Sequence, residues 1–336
     1  MIVYNTFMAS QESTLDNYTV LSSLGVQHLA SMKKVQCRST GAIYAAKIFR
    51  DRISEVYARN EISTLEQLTG ENIVIVRQMV LLGTYTKKSG SQYSCSYILM
   101  EPLPNGDLFK FLSFLGSPRP EMVRFLFSEI LKALETVHIS GFAYGGLKLE
   151  NFYIDSDFHI KLTDFSKASP LDSEPNISIQ SKYTPPEAFL GPVSSGQAAD
   201  IFSAGVILFL LQTSQFPFYS SKPLDLFYSQ LTKNPRVFWD MQKKNYKSIQ
   251  LSEDFKNLIE SMLCFEPKTR ANLDEIKAHE WIKGPMADYD EFKELVLKIK
   301  PWENDQKIKR NMMRNRFCNQ SSGKNYEFQY NTSVQK

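Results

Sequence analysis

Between Tyr18 and Met100 the apolar residues come in short runs. "YTVLSSLG", "AIYAAKIF" and "YSCSYILME" are rich in aromatic and β-branched residues and are bounded by polar turns, the pattern of strands. One segment breaks this rhythm: "VYARNEISTLEQL" places Ile62, Leu65 and Leu68 on one helical face. "LPNGDL", residues 103–108, is a turn signal and the expected hinge between two lobes. Beyond it the period lengthens. "EMVRFLFSEILKALETVHIS" sets Val123, Phe127, Ile130, Leu131 and Leu134 at helical spacing and ends near Gly141. Two strand-like pieces follow, "FYID" and "HIKLTDF", then a polar loop from Ser166 to Glu187, then helical patterns from Ala198 to Trp281. From Gly284 onward the chain is polar and basic apart from one amphipathic piece, "EFKELVLKIK", and is expected to be an appendage.

Composition narrows the class without deciding it. Of 336 residues 43% are hydrophobic and 22% charged, an ordinary globular balance. A net charge of +3 is too small to indicate nucleic acid as a partner. Cys37, Cys95, Cys264 and Cys318 are widely spaced, which fits neither a zinc site nor a disulfide framework and suits a reducing compartment. The purest apolar run, "AGVILFLL", is too short to span a bilayer and is expected inside a buried helix. The first residues show no signal-peptide pattern, so the expectation is a cytoplasmic protein.

Several short stretches carry more than periodicity. Lys47 in "YAAKIF" sits on an expected strand, and Glu61 in "RNEISTL" on the helix after it. "LKLEN" and "LTDFS" place Lys148, Asn151 and Asp164 around the two strand-like pieces, and "YTPPEAF", "AADIFSAG" and "CFEPKTRA" follow in order. Over roughly residues 18–283 this series resembles the eukaryotic protein kinases, most like the Ser/Thr calmodulin-dependent and energy-sensing groups.

The resemblance implies an α+β, two-lobed protein kinase fold: an N-terminal arm at 1–17, a β-rich lobe at 18–104, a helical lobe at 105–283 and a tail at 284–336. It implies ATP with Mg²⁺ as cofactors. By position, Lys47 would contact the nucleotide phosphates with Glu61 as its ion-pair partner, and Asn151 and Asp164 would hold the metal. Lys148 corresponds to the lysine that neutralises the transferred phosphate. Gly25, Ala45, Met100 (the gatekeeper), Glu101, Asp107 (a ribose-contacting position) and Tyr153 (the floor of the adenine site) are carried over as nucleotide-lining residues. Glu187 and Arg270 correspond to a buried structural pair, and Asp200 to the brace of the catalytic loop. The four histidines, His28, His138, His159 and His279, take no part in this pattern.

The departures fall together. The catalytic loop should run His-Arg-Asp before "LKLEN"; here it runs Tyr144, Gly145, Gly146. Gly146 therefore stands where the base belongs, and Gly145 where an arginine reads activation-loop phosphate. Two adjacent glycines are expected to loosen this loop. Counting back from Glu187, Gln180 replaces the threonine that bonds the missing aspartate, and Ile179 replaces a glycine. Ser166 replaces the glycine after Asp164 and Phe165, and in "LGVQHLASM" Gly25 survives while Gln27 and Ala30 stand at the other glycine places. Asp155 and Asp157 are nearby in sequence but belong to a turn.

Losses concentrated on the proton and the protein substrate, beside retained nucleotide and metal residues, are expected of a pseudokinase acting as an ATP-binding scaffold or allosteric regulator. Its partners would be proteins, an active kinase or that kinase's substrate. Two other readings stay open: a weakly active Ser/Thr kinase, and an interaction module that binds no nucleotide. The segment "QKIKRNMMRNRF" in the tail is expected to be a solvated end, with an amphipathic basic helix as the alternative.

Overall fold

The computed structural model describes residues 12–27, 30–177, 179, 182–245 and 250–303. The chain divides into two compact units, Met1–Gln67 with Val74–Pro104, and Leu68–Ile73 with Asn105–Lys336. The first is a β unit and the second is mainly helical, so the α+β expectation holds.

The first unit is a closed antiparallel barrel. Its strands are β1 (Thr14–Leu15), β2 (Tyr18–Gln27), β3 (Ala30–Cys37), β4 (Ile43–Phe49), β5 (Val76–Thr86) and β6 (Gln92–Met100), ordered β1-β2-β3-β4-β6-β5. Alternation turns Val35, Ala46, Ile48, Tyr97 and Leu99 inward to form its core. β1 lies within the stretch expected to be an arm, yet it pairs with both β2 and β5 and buries Leu15 completely. Asp16 makes this closure possible: in a left-handed turn (φ 43°) its carboxylate accepts the Thr84 N–H at 2.8 Å and the Tyr97 hydroxyl at 2.7 Å. Helix α1 (Arg52–Leu65) starts earlier than the apolar spacing suggests, because Asp51 and Ser54 form a reciprocal capping box.

The second unit is built around α4 (Gly196–Thr213). Every residue from Ala199 to Thr213 is buried, as a helix that is apolar all round requires. It is the one described helix long and apolar enough to cross a membrane, and 89% of it is buried inside the fold. Around it lie α2 (Leu108–Leu115), α3 (Pro120–Ile139), α5 (Leu226–Lys233), α6 (Pro235–Asn245), α7 (Glu253–Met262) and α8 (Leu273–Ala278). Short antiparallel pairs carry the loops: β8 (Phe152–Ile154) with β9 (Ile160–Leu162), and β7 (Phe142–Ala143) with β10 (Ser169–Pro170).

The expected appendage is only partly one. Helix α9 (Tyr289–Glu303) buries Phe292 completely, with its ring 5.5 Å from Phe111 and 5.3 Å from Phe125. Ahead of it, the Ala287 N–H donates to the Glu121 carbonyl, and Arg119 pairs with Glu291 at 2.8 Å. The basic segment at 306–317 and Cys318 lie outside the described residues; Cys37, Cys95 and Cys264 are free thiols.

Candidate functional site

In the β unit, register puts Lys47 of β4 opposite Met32 and Ile98. Its ammonium lies 2.7 Å from Glu61 Oε2 on α1, and both side chains are 1% exposed. Burying two charges costs several kcal/mol each unless they are paired, so this is not the low-value surface pair that spacing alone allows. Ala45 and Met100 face each other in register and are buried. Glu101 folds back on Ile75, donating its N–H to the Ile75 carbonyl and accepting the Ile75 N–H at 2.8 Å. Gly25 sits at a β-bulge, and among the described residues nothing lies within 4 Å of where a Cβ would stand. His28 and the Gln27 side chain lie outside the described residues.

In the helical unit, Asp200 near the start of α4 fixes the loop that follows α3. Its carboxylate accepts the Tyr144 N–H at 2.7 Å and the Gly145 N–H at 2.9 Å, with His138 Nε2 at 3.0 Å. The chain then passes through a 3₁₀ turn, Leu149–Asn151, into β8. Asn151 Nδ2 donates to the Tyr144 hydroxyl at 2.6 Å, and that hydroxyl donates to the Thr163 carbonyl at 2.6 Å. Thr163 closes the ring by donating its N–H (3.0 Å) and its hydroxyl (3.1 Å) to the Asn151 carbonyl. Next along, Asp164 is left-handed (φ 65°), a conformation that costs a non-glycine residue about 1–3 kcal/mol and collects at functional sites. Ser166 donates its hydroxyl to Asp164 Oδ1 at 2.8 Å.

The two glycines differ. Among the described residues a Cβ on Gly146 would meet only the Lys167 Cβ and Cγ, at 3.6 Å, an ordinary contact. A Cβ on Gly145 (φ 75°) would stand 2.5 Å from the Asn176 carbonyl oxygen and 2.7 Å from that of Lys167. Gly145 is thus not slack, contrary to the expectation from its composition. Its N–H is held by Asp200, and backbone of the segment after Asp164 rests where a side chain would be. The same segment pairs Ser169 and Pro170 with Ala143 and Phe142.

Farther along, Tyr183 donates its hydroxyl to Glu150 Oε2 at 3.0 Å, and burial pushes the Glu150 carboxyl up from its ordinary range. Lys182 Nζ lies over the rings of Phe216 (4.6 Å) and Tyr219 (5.6 Å). Arg270 grips Glu187 with both terminal nitrogens, at 2.8 and 3.0 Å, while also donating to the Ala198 and Cys264 carbonyls. Gln180 lies outside the described residues; Ile179 is described and exposed.

Other expected positions have evident local work. Asp107 caps α2, accepting the Lys110 N–H at 2.9 Å, and bridges to Tyr153 on β8. Asp155 Oδ1 accepts the N–H groups of Asp157 and His159 in the β8–β9 turn. Lys148 precedes the 3₁₀ turn, half-buried. Among the described residues no group of three or more His, Cys, Asp or Glu side chains gathers to hold a metal. Asn151 and Asp164 offer hard oxygens, a donor set that suits Mg²⁺, which takes one or two protein ligands when phosphates and water complete its shell. Sequence reasoning named Asn151 and Asp164 but missed the hydroxyls bonded to them. The one available signal was that Tyr144 and Ser166 depart from the pattern.

Residues 18–282 match the family model of the protein kinase domain. The chain is 28% identical over 282 residues to the serine/threonine-protein kinase SRK2J of Arabidopsis thaliana, covering 80% of this chain and 76% of that protein. It is 30% identical over 273 residues to the probable serine/threonine-protein kinase MARK-B of Dictyostelium discoideum, covering 80% and 36%. It is 27% identical over 281 residues to CBL-interacting protein kinase 21 of Oryza sativa subsp. japonica, covering 80% and 50%.

Proposed function

The chain belongs to the protein kinase family, and from that premise we propose that it is a pseudokinase: a nucleotide-binding regulator or scaffold that does not depend on phosphoryl transfer. The observation that carries the reading is Gly146, which bears no carboxylate, with the Lys167 stem beside it. General-base assistance contributes about 10²–10⁴-fold, or about 3–5 kcal/mol at the transition state. Its loss cripples transfer while leaving the binding functions alone.

The retained residues support nucleotide binding. Lys47, already paired with Glu61, would meet the phosphates; Asn151 and Asp164 would hold Mg²⁺. ATP, when bound, supplies a γ-phosphoryl group and charge for these residues to neutralise. In a regulator it acts as a ligand that favours whichever conformation binds it better. Partners of this reading are proteins, an active kinase or its substrate, in the cytoplasm. A weakly active Ser/Thr kinase is the second reading, favoured by the assembled Lys47–Glu61 pair and by relatives whose names are those of kinases. An interaction module without nucleotide is the third.

The test is transfer of labelled γ-phosphate from Mg-ATP to the chain and to a generic basic protein, by wild type, Asp164→Ala and Gly146→Asp. The pseudokinase reading expects no transfer by wild type. Transfer that Asp164→Ala abolishes would replace it with the weak-kinase reading.

A further inference from the structure

Tyr144 and Ser166 stand where the family pattern has histidine and glycine, and each bonds a residue expected to hold the metal. We propose that they are positioning residues of a divalent-cation site. Tyr144 orders the amide of Asn151 and Ser166 orders the carboxylate of Asp164, so that the cation of a metal–nucleotide complex meets oxygens already aimed. This rests on the nucleotide-binding reading and adds what sets the site's geometry.

Proton order carries it. The Thr163 carbonyl can only accept, so the single hydroxyl proton of Tyr144 is spent on it. The phenol oxygen can therefore only accept from Asn151, which must turn its NH₂ toward Tyr144. Oδ1 is left pointing the other way, as a cation ligand must. A phenylalanine at 144 removes the constraint, and the amide is then free to turn NH₂, which repels a cation, toward the metal position. Burial makes the ordering strict: Tyr144 is 0% exposed, Asn151 3% and Thr163 4%, so water does not substitute for the missing partners. Ser166, 3% exposed, acts on Asp164 in the same way. A carboxylate has about four lone-pair sites, so the Ser166 hydroxyl can orient the group while a cation binds it. Outer-shell partners of this kind typically change metal affinity by about 10–100-fold when removed.

The experiment titrates a non-hydrolysable ATP analogue, adenylyl imidodiphosphate, calorimetrically into the full chain in EDTA and in saturating Mg²⁺. The readout is the ratio of the two affinities. Wild type is expected to bind more tightly in Mg²⁺. Tyr144→Phe should lower the ratio about tenfold, with the EDTA affinity nearly unchanged. Ser166→Ala should lower it less, and Ser166→Thr, which keeps the hydroxyl, should restore it. If Tyr144→Phe fails to fold, the Ser166 pair decides. Unchanged ratios in the variants, or parallel loss in both buffers as a purely structural role gives, overturn the proposal. Wild type that binds the analogue equally in both buffers overturns it while leaving nucleotide binding intact. Wild type that binds in neither overturns the nucleotide-binding reading as well.

Discussion

Replacing glycines one at a time with alanine separates the two things a glycine can provide in this loop. Among the described residues Gly141 (φ 84°) has nothing within 4 Å of where a Cβ would stand, so Gly141→Ala meets only the left-handed backbone penalty. That penalty is about 1–2 kcal/mol, partly offset by about 0.4–1 kcal/mol of lost unfolded-state entropy, for a net cost near about 1 kcal/mol. Gly145 shares the left-handed backbone (φ 75°), but its Cβ would stand 2.5 and 2.7 Å from two carbonyl oxygens. Neither belongs to a flexible side chain, so backbone must move, which adds about 1–3 kcal/mol of overpacking. Gly145→Ala should therefore cost about 2–4 kcal/mol in total. Gly146, with only a 3.6 Å contact and no left-handed φ, should accept alanine with no loss. Urea unfolding of the three variants measures the order, and limited proteolysis between Lys167 and Ile177 shows whether the segment lifts. Equal costs at 141 and 145 would refute the claim that the segment is seated on Gly145. If the order holds, an arginine cannot be returned to position 145 without displacing that segment.

Three further outcomes follow from packing and charge. Arg270→Ala should cost about 3–5 kcal/mol in urea unfolding, because it strands the Glu187 carboxylate and two carbonyls beside a buried gap; a loss below about 1 kcal/mol would show the pair to be dispensable. Phe292→Ala should cost about 3–5 kcal/mol, whereas an unpacked appendage would show no change. Burial raises the Glu150 carboxyl pKa in the folded state, so the folded chain holds this proton more tightly than the unfolded one. Its contribution to stability is present below the ordinary glutamate pKa of about 4.3 and is lost as pH rises through the folded value. Glu150→Gln should thus gain on wild type as pH rises through that window, and a difference independent of pH would contradict the assignment.

The sequence by itself determined the class of fold. Alternating runs before the turn at 103–108 and helical spacing after it follow from local backbone geometry, which a stretch of residues reports without its neighbours. The Lys47–Glu61 pairing was legible because strand and helix are consecutive and each carries its charge at the expected place. Tertiary structure alone decided the rest. β1 has two residues, too few for any period, and becomes a strand only because β2 and β5 lie on either side of it. The amphipathic pattern at 291–300 shows a face but not what covers it, and Phe111 and Phe125 supply that. Composition makes Gly145 look slack, until the carbonyls of Lys167 and Asn176 arrive against it. The orientation of Asn151 depends on the Tyr144 hydroxyl, whose proton goes to the Thr163 carbonyl. A residue type states which bonds a side chain can make; only the assembled chain brings the partner that decides which bond is made.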